Sequence, residues 1–508
     1  MYMVFTASKD TYITNKIMNN SFRVTDANVG RASTIDLFKL YDESVIAGDA
    51  APIELSRALI YFNTTDISAS LKGKVSFDDS SFSCKLKLFD MQGTAVSPKN
   101  FNLAVFPLSQ SWDEGAGTDI GTFNYLDRAN WLTSSISNST NNLWNLAGAQ
   151  SKGLLGSSDI DIITSGSIFG GSVVQLYATQ HFSKGNEDLH LDVTTQLSAA
   201  MCGAIPSHGF LIAYSGSEET DTATRFVKRF TSRHSRNPYI RPRIEVTYND
   251  SQLDHHKTSE FNLTSSLFLR TFSRGSSRNM ISGSAVSEVS GHKCVLLQLH
   301  TGSWSKTVTG SQHQLAGRFD TGVYTASIAV DSFASESLTS ATTLRTHIVK
   351  SGSITFGEEW LSLDRSVSYF SGSLTMNDSF STTGNLKRDV RIDVANLKSK
   401  YAKSDVPLMR LFVYDRAVEQ KSVNVPVKLK SDVLSQVYYR IRDADNGKIL
   451  VPFGRSNNST RVSIDNEGMF FSPSFSALVA GRVYTVDLLV VDRDEELVVE
   501  TDTRFRVG

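Results

Sequence analysis

Apolar and polar residues alternate with a period of two along much of this chain. The pattern is plain in Ser83-Cys84-Lys85-Leu86-Lys87-Leu88-Phe89 and in Arg243-Ile244-Glu245-Val246-Thr247-Tyr248. It returns in Tyr324-Thr325-Ala326-Ser327-Ile328-Ala329-Val330 and in Tyr484-Thr485-Val486-Asp487-Leu488-Leu489-Val490. Such alternation predicts strands with one buried face. Helical periodicity is scarce. Positions 143–155 and 193–201 are the candidate short helices, and neither is long enough for a helical layer. Between strand-like runs at 437–442 and 448–451 stands Asp443-Ala444-Asp445-Asn446-Gly447. Its Asn-Gly pair predicts a hairpin.

The expected fold class is therefore all-β, with several β-sandwich domains in series. At roughly 100–200 residues per domain, the length implies three or four of them. The polar turn Asn249-Asp250-Ser251 and later Ser/Gly-rich stretches divide the chain into 1–250, 251–383 and 384–508. No strict short repeat is present.

Composition agrees with this picture. Apolar residues are 40% and charged residues 20%, which excludes wholesale disorder. Pro numbers only 10, which excludes a Pro-rich stalk. The formal net charge of -1 does not draw the whole molecule to nucleic acid or to an anionic membrane, and neither is an expected partner. No run approaches the ~20 apolar residues of a membrane span. The first residues lack the basic region and apolar core of a signal peptide, so synthesis in the cytosol without a standard export signal is expected. Cys84, Cys202 and Cys294 are far apart and form no CxxC pair. They read as buried thiols rather than a disulfide framework.

A set of short motifs appears in order through the first half. They are Asp10-Thr11-Tyr12-Ile13, Asn28-Val29-Gly30, Arg57-Ala58-Leu59-Ile60-Tyr61-Phe62 with Asp66-Ile67, and Ser111-Trp112-Asp113-Glu114-Gly115-Ala116-Gly117-Thr118 with Trp131. Then come Leu191-Asp192-Val193-Thr194, Phe230-Thr231-Ser232-Arg233-His234, Asn237-Pro238 and Arg241-Pro242-Arg243-Ile244-Glu245-Val246-Thr247-Tyr248. This order resembles the DNRLRE family, β-sandwich modules of bacterial surface and cell-wall proteins. Similar modules occur in structural proteins of large tailed bacteriophages. His234 departs from the family, which usually has Glu there, and the stretch from Trp131 to Leu191 is longer than usual. The motif residues suit structural work. Arg57 opens an apolar strand and anchors it by a charge-assisted bond to a carboxylate or carbonyl. Trp112 sits at a strand end, where the Gly-Ala-Gly loop passes close over its face. Pro238 and Pro242 bracket the last strand, and Arg241 stands beside it.

In the second part, Asp320-Thr321-Gly322-Val323-Tyr324 has the spacing of a tyrosine corner, in which a Tyr hydroxyl bonds back to upstream backbone. Ala326 stands where immunoglobulin domains carry Cys, and Trp304 is the candidate core Trp. In the third part, Leu478 to Tyr484 has the spacing found before the penultimate strand of fibronectin type III sandwiches. Both parts are expected to be Ig-like, with Tyr324 and Tyr484 as structural anchors.

Candidate chemistry is thin. There is no P-loop, dinucleotide fingerprint or nucleophile elbow; Ala213-Tyr214-Ser215-Gly216 lacks the first Gly. His255-His256 and His292, Cys294, His300 are the nearest to a zinc set. On a strand His255 and His256 point to opposite faces, while His292 and Cys294 share one, and no further pair completes a tetrahedron. Asp443, Asp445 and Gly447 resemble the opening of a calcium loop, but its twelfth position is Gly454. Asp492, Asp494, Glu495 and Glu496 form an acidic turn. Asp113, Glu114 and Asp119 could pair as glycosidase carboxylates. The basic stretch Arg225, Lys228, Arg229, Arg233, His234, Arg236, Arg241, Arg243 is largely part of the family-like ending, with ion pairs to an acidic partner protein as an added option.

The expectation is a non-enzymatic virion structural protein of a tailed bacteriophage, at the neck, tail, baseplate or fibre, with no metal or cofactor. It would dock β surfaces onto other virion proteins, in the virion, as a homo-oligomer. The alternative is a carbohydrate-binding adhesin attaching to a cell-surface polysaccharide, with a host glycan as ligand. A glycoside-active enzyme using Asp113, Glu114 or Asp119 comes third.

Overall fold

Among the residues described below, strand takes 47% and helix 8%, so sheets must supply nearly all of the core. The computed structural model describes residues 1–49, 52–93, 96–121, 128–150, 161–168, 171–283, 287–335, 343–378, 389–416, 431–492 and 495–508. The sheets build serial β-sandwich-like domains. By compactness the chain falls into two units. The first is Met3–Lys72 with Phe82–Thr247, and the second is Tyr248–Gly508 with Met1–Tyr2 and Gly73–Ser81. The boundary expected at 383/384 lies outside the described residues.

The first unit begins with β1 (Tyr2–Thr6), β2 (Lys9–Thr14), β3 (Thr34–Tyr41), β4 (Ile53–Tyr61) and the short helix α1 (Thr64–Leu71). Next are β5 (Ser83–Leu88), β6 (Phe101–Pro107), β7 (Ala178–Phe182), β8 (Leu189–Asp192) and helix α2 (Thr194–Met201). It ends with β9 (Phe210–Tyr214), β10 (Arg225–Thr231) and β11 (Arg243–Thr247). One sheet runs β7-β6-β9-β4-β3-β10, with β2 also pairing β4; the other runs β1-β11-β5-β8. β5 alternates as expected, with Cys84, Leu86 and Leu88 buried. β11 does not: its first four residues are all buried. Arg243 can be buried there because it pairs with Glu245 on the same face, N–O 2.7 Å.

Local signals place both helices. The Asn63 side chain accepts the Thr65 N–H at 3.1 Å, and Ile67 and Leu71 face inward. Asp192 accepts the Thr194 N–H at 2.9 Å where α2 begins. The helix expected over 143–155 does not form in its described part. Leu143 ends a short strand, and residues after it make turns, because Trp144 is pulled inward by its Nε1–H bond to Asn130 O at 2.9 Å. The long stretch after Trp131 contributes two small hairpins, Thr133–Ser137 with Thr140–Leu143 and Ser165–Ser167 with Val173–Gln175.

The second unit contains β12 (Thr264–Arg270), β13 (Val295–Thr301), β14 (Trp304–Leu315), β15 (Arg318–Ala329), helix α3 (Leu344–Ser351), β16 (Ser353–Leu361) and β17 (Ser368–Asn377). These strands form one sheet in the order β12-β15-β14-β13-β16-β17. Its core holds Trp304, Trp360, Phe356 and Tyr324. Further on come β18 (Val390–Val394), β19 (Lys400–Tyr401), β20 (Met409–Asp415), β21 (Gln436–Asp443), β22 (Ile449–Val451), β23 (Ser463–Asp465), β24 (Gly468–Phe471), β25 (Val483–Asp492) and β26 (Glu495–Val507). They make two sheets, β18-β20-β24-β23 and β19-β26-β25-β21-β22. The segment entering β12 is stitched to β23. Leu253 bridges Ile464 in parallel, Asp254 N–H donates to Ile464 O at 3.1 Å, and Ile464 N–H donates to Gln252 O at 2.7 Å.

Both Tyr hydroxyls expected at corners bond to backbone. Tyr484 accepts the Val479 N–H and donates to Val479 O, each 2.7 Å, five residues upstream. Tyr324 reaches further: it accepts the Met280 N–H at 2.9 Å and donates to Val289 O at 2.7 Å. Asn446-Gly447 turns a hairpin from β21 to β22, with Gly447 at φ 69.

Tyr324→Phe keeps the ring but leaves the buried Met280 N–H and Val289 carbonyl unpaired. It should cost about 1–3 kcal/mol of unfolding free energy. Equilibrium denaturation of the full chain, followed by near-ultraviolet circular dichroism, measures this; an unchanged midpoint would refute it.

Candidate functional site

The motif residues of the first half meet in two places within the first unit. The first is a charge buried in mid-sheet. Arg57 does not open a strand; it lies in the middle of β4, opposite Ile13 of β2, and its side chain is fully buried. Its Nε and Nη2 donate to the two oxygens of Glu219 at 3.0 and 2.6 Å, and Nη1 donates to Gly148 O. Glu219 is equally buried. Burial pushes its carboxyl up, and the Arg57 charge and hydrogen bonds pull against that shift. The Trp131 ring lies over the guanidinium, 5.3 Å from its centroid. Gly148 must be glycine, because a Cβ there would stand 2.4 Å from the Trp131 ring.

The second place gathers Asp10 of β2, Asn28, the 113–117 loop and the Arg233-His234 turn. Arg233 grips Glu114 with Nε and Nη2, both at 2.6 Å. Asp10 N–H donates to Glu114 Oε1 at 2.9 Å, and Asp10 Oδ2 accepts the Arg233 N–H. Asn28 ties the loop down. Its Nδ2 donates to Glu114 O and Ala129 O at 2.9 Å, and its Oδ1 accepts the Gly117 N–H at 2.9 Å. The glycines serve this approach: a Cβ on Gly30 would stand 1.9 Å from Glu114 O. The Gly-Ala-Gly loop therefore closes on Asn28 and Gly30. Trp112 is buried, its Nε1–H donates to His208 O at 3.0 Å, and Lys9 Nζ stands over its ring. Arg241 donates from Nε to Ser235 O at 2.9 Å.

Asp10, Glu114 and His234 could each offer a ligand atom, all within 4.8 Å of one another. The donor set does not suit a cation. Both oxygens of Glu114 already accept from Arg233, whose positive charge occupies the place a metal would take. His234 Nε2 stands 3.6 Å from Glu114 Oε1, too far for a hydrogen bond. What remains chemically adjustable is Asp10. Burial is the main force raising its carboxyl to about 7; Glu114 adds to that, while the Arg233 N–H bond opposes it.

The other candidates are dispersed or already engaged. Asp113 faces Lys9 at 3.8 Å and Arg128 at 4.0 Å, and Glu114 is locked to Arg233, so the two are not a free carboxylate pair. Asp119 Oδ1 accepts the Gly121 N–H at 2.9 Å. The basic stretch finds carboxylates inside its own unit: Arg225 with Asp221, Lys228 with Asp90, Arg229 with Asp36, Arg243 with Glu245. An acidic partner protein is not needed to neutralise these groups. His292 and Cys294 lie in the turn before β13, not on a strand, with Lys293 between them at φ 50. His255 and His256 also precede a strand. His256 bridges Asp254 and Glu358, with Nδ1 2.5 Å and Nε2 3.1 Å away. Burial alone would lower the imidazole; the bonds and charges of the two carboxylates outweigh it and hold the group near about 10. Asp443 receives Asp445 N–H and Arg482, as a turn residue does. Of the expected acidic turn, Asp494 lies outside the described residues, and Glu495 opens β26. Of the three thiols only Cys84 is buried; Cys202 is exposed at the end of α2, and none forms a disulfide.

A shallow depression with room for about one water, about 10 Å³, lies against α2, lined by Phe62, Leu197, Ala200, Ile205, Pro206 and Phe210. No titratable group lines it. Among the described residues no helix is long and apolar enough to cross a membrane.

Neither a protein-family model nor a curated protein matches the chain. Solved structures give weak likenesses. The chain is 8% identical to the chicken CNTN1 FN1-FN3 domains, covering 57% of this chain and 87% of that one, with a TM-score of 0.14. It is 9% identical to an ICAM-5 D1-D4 ectodomain fragment, covering 98% and 100%, with a TM-score of 0.12. It is 10% identical to the Protocadherin GammaB4 extracellular domain, covering 99% and 61%, with a TM-score of 0.13. At these scores the likeness carries no argument, and the fold description rests on the sheets themselves.

Glu219 was invisible as Arg57's partner because the two stand 162 positions apart and no local spacing joins them. Two outcomes follow from these clusters. Arg57→Met alone strands the Glu219 carboxyl and should cost about 3–5 kcal/mol, while Arg57→Met with Glu219→Leu should recover most of that loss. Equal destabilisation of single and double variants in urea titrations would contradict the account. Asp10 is raised from 3.8 to about 7 in the fold, so its contribution is fully present below pH 3.8 and is lost as pH rises through about 7. Asp10→Asn should therefore gain on the natural chain by on the order of 2 kcal/mol between pH 5 and pH 8. A difference independent of pH would rule this out.

Proposed function

We propose that the protein is a structural subunit of a tailed-bacteriophage particle, a DNRLRE-like sandwich followed by Ig-like sandwiches, that works by docking preformed β surfaces onto other subunits. The observation that carries this reading is the closure of the motif residues on themselves. Arg57, Glu114, Asn28 and Arg233 are consumed in holding the first unit together. Chemistry of a hydrolase needs carboxylates free to reach a substrate, and Glu114 is bound on both oxygens.

A scaffold reading is also favoured over the adhesin by where the aromatics lie. All five Trp are buried: Trp112, Trp131, Trp144, Trp304 and Trp360. Every described Tyr is buried or half-buried. The exposed rings are phenylalanines such as Phe226, Phe272 and Phe333, which lack the polar edge useful at a wet sugar contact.

Density-gradient purification of particles from the source, followed by mass spectrometry, tests the proposal. The chain should band with the particles in a fixed copy ratio to the other structural proteins. Its absence from purified particles would overturn the proposal, and binding of the isolated chain to host polysaccharide would then favour the adhesin.

A further inference from the structure

β17 is an edge strand whose outer main-chain groups have a definite address. Asn377 at its end donates its N–H to Ser259 O and accepts the Phe261 N–H on the outer side. Asp378, one residue on, donates inward to Gly352 O. In an antiparallel ladder the N–H and C=O of one residue point to the same side, and the side alternates. Ser371, Ser373 and Thr375 therefore direct their N–H and C=O groups outward. Among the described residues no backbone group pairs them. Their side chains are exposed as well, while Leu374 and Met376 between them are buried.

Sheet edges are normally protected by charge, proline or a covering segment. The opposite edge of this sheet is covered: His255 donates its N–H to Ser266 O of β12 at 2.9 Å, and His255 Nδ1 accepts the Ser266 N–H at 3.1 Å. β17 has no such device along its middle. From Ser366 to Asn377 there is no charged residue and no proline.

We propose that β17 pairs antiparallel with β17 of a second copy of this chain, about a two-fold axis at Ser373. This register follows from the outward set. Ser373 meets Ser373 of the second copy, and Ser371 meets Thr375 in both directions, so every pair is of the hydrogen-bonded kind and exchanges two main-chain bonds. Any two-fold on an even-numbered residue would oppose inward-pointing groups instead. The uncharged sequence places no like charges opposite each other, as self-pairing requires. On the core side, Phe370 is 41% exposed and its ring lies over Gly372. Across the axis Gly372 faces Leu374 of the second copy, which brings Phe370 beside it and covers an exposed ring. The pairing is short for a reason: Asn377 is already covered, and the irregular register beside Tyr369 bends the strand at the end that would meet it.

The inference rests on the docking reading for its purpose, since it names the surface by which copies join. Sedimentation of the full chain over a range of concentrations should show a monomer–dimer equilibrium. Ser373→Lys sets two ammonium groups face to face and should raise the dimer dissociation constant about tenfold or more, with an unchanged melting temperature at concentrations where the natural chain is monomeric. Ser373→Cys, in a chain also carrying Cys202→Ser, should form a covalent dimer under mild oxidant, because hydrogen-bonded antiparallel partners stand about 5.5 Å apart at Cα, inside disulfide range. Thr355→Cys in the same background, one strand further in, should not. A monomer at every concentration, or a dimer indifferent to Ser373→Lys and not trapped through Ser373→Cys, overturns the proposal. Either result leaves membership of the particle to be decided by fractionation.

Discussion

A full positive charge lies in the middle of the first unit's larger sheet, and much of that unit is arranged around neutralising it. Arg57 has no access to water. Leaving such a charge unpaired costs about 3–5 kcal/mol, a large share of the ~5–15 kcal/mol that holds a typical domain folded. The chain answers with Glu219 at two contacts, Gly148 O at a third, and the Trp131 face above. Each answer constrains something else. Glu219 must sit on the turn after β9, Gly148 must lack a Cβ, and Trp131 must be held in the core, where it joins Trp112 and Trp144.

The Asp10–Glu114–Arg233 knot obeys the same rule at the other end of β2. Burial raises the Asp10 carboxyl there and the Glu114 charge adds to it, more than the Arg233 N–H and charge offset. The second unit repeats the logic with different residues. His256 stands between Asp254 and Glu358, Asp465 takes Arg410, and Asp487 takes Arg440 and Arg442. These pairs join segments distant in sequence, so they fix how strands lie relative to each other within each unit. Surfaces held this way are formed before any partner arrives, which lowers the ordering cost of association.

Period-two alternation found strands at the runs it marked, because it needs only neighbours. It was misleading about burial in β11 and β25, where the polar positions are buried too. Asp487 reads as solvent-facing until Arg440 and Arg442 are seen on the adjacent strand, 47 and 45 residues away in sequence. The turn signal Asn446-Gly447 acts locally and was legible. The run at 143–155 was not, because a tertiary demand, the burial of Trp144, overrides local preference there. At the candidate site the pieces were visible as separate motifs: Asp10, Asn28, Glu114 and Arg233. Their convergence was not, since nothing in a single sequence says which carboxylate faces which guanidinium. The basic stretch shows the same gap: an acidic partner stood as an added option for its charges, and the counter-charges of Arg225, Lys228, Arg229 and Arg243 lie within the unit.

This closure changes where association should be sought. The charged motif side chains Arg57, Glu114 and Arg233 are engaged inside, which turns attention to main-chain groups of definite geometry at sheet edges. Such groups are indifferent to side-chain identity, and what governs their use is whether something obstructs them. The two edges of the β12–β17 sheet differ on this point: one is occupied by the His255 segment, and the other presents serines and a threonine with no charge among them. An uncharged open edge exposes a protein to indiscriminate pairing. A short usable stretch, ended by the Asn377 cover and the irregularity at Tyr369, admits a strand of matching length and register and disfavours a longer one. Selectivity of that kind comes from where the pairing must stop, and a residue-by-residue search for binding side chains would pass over it.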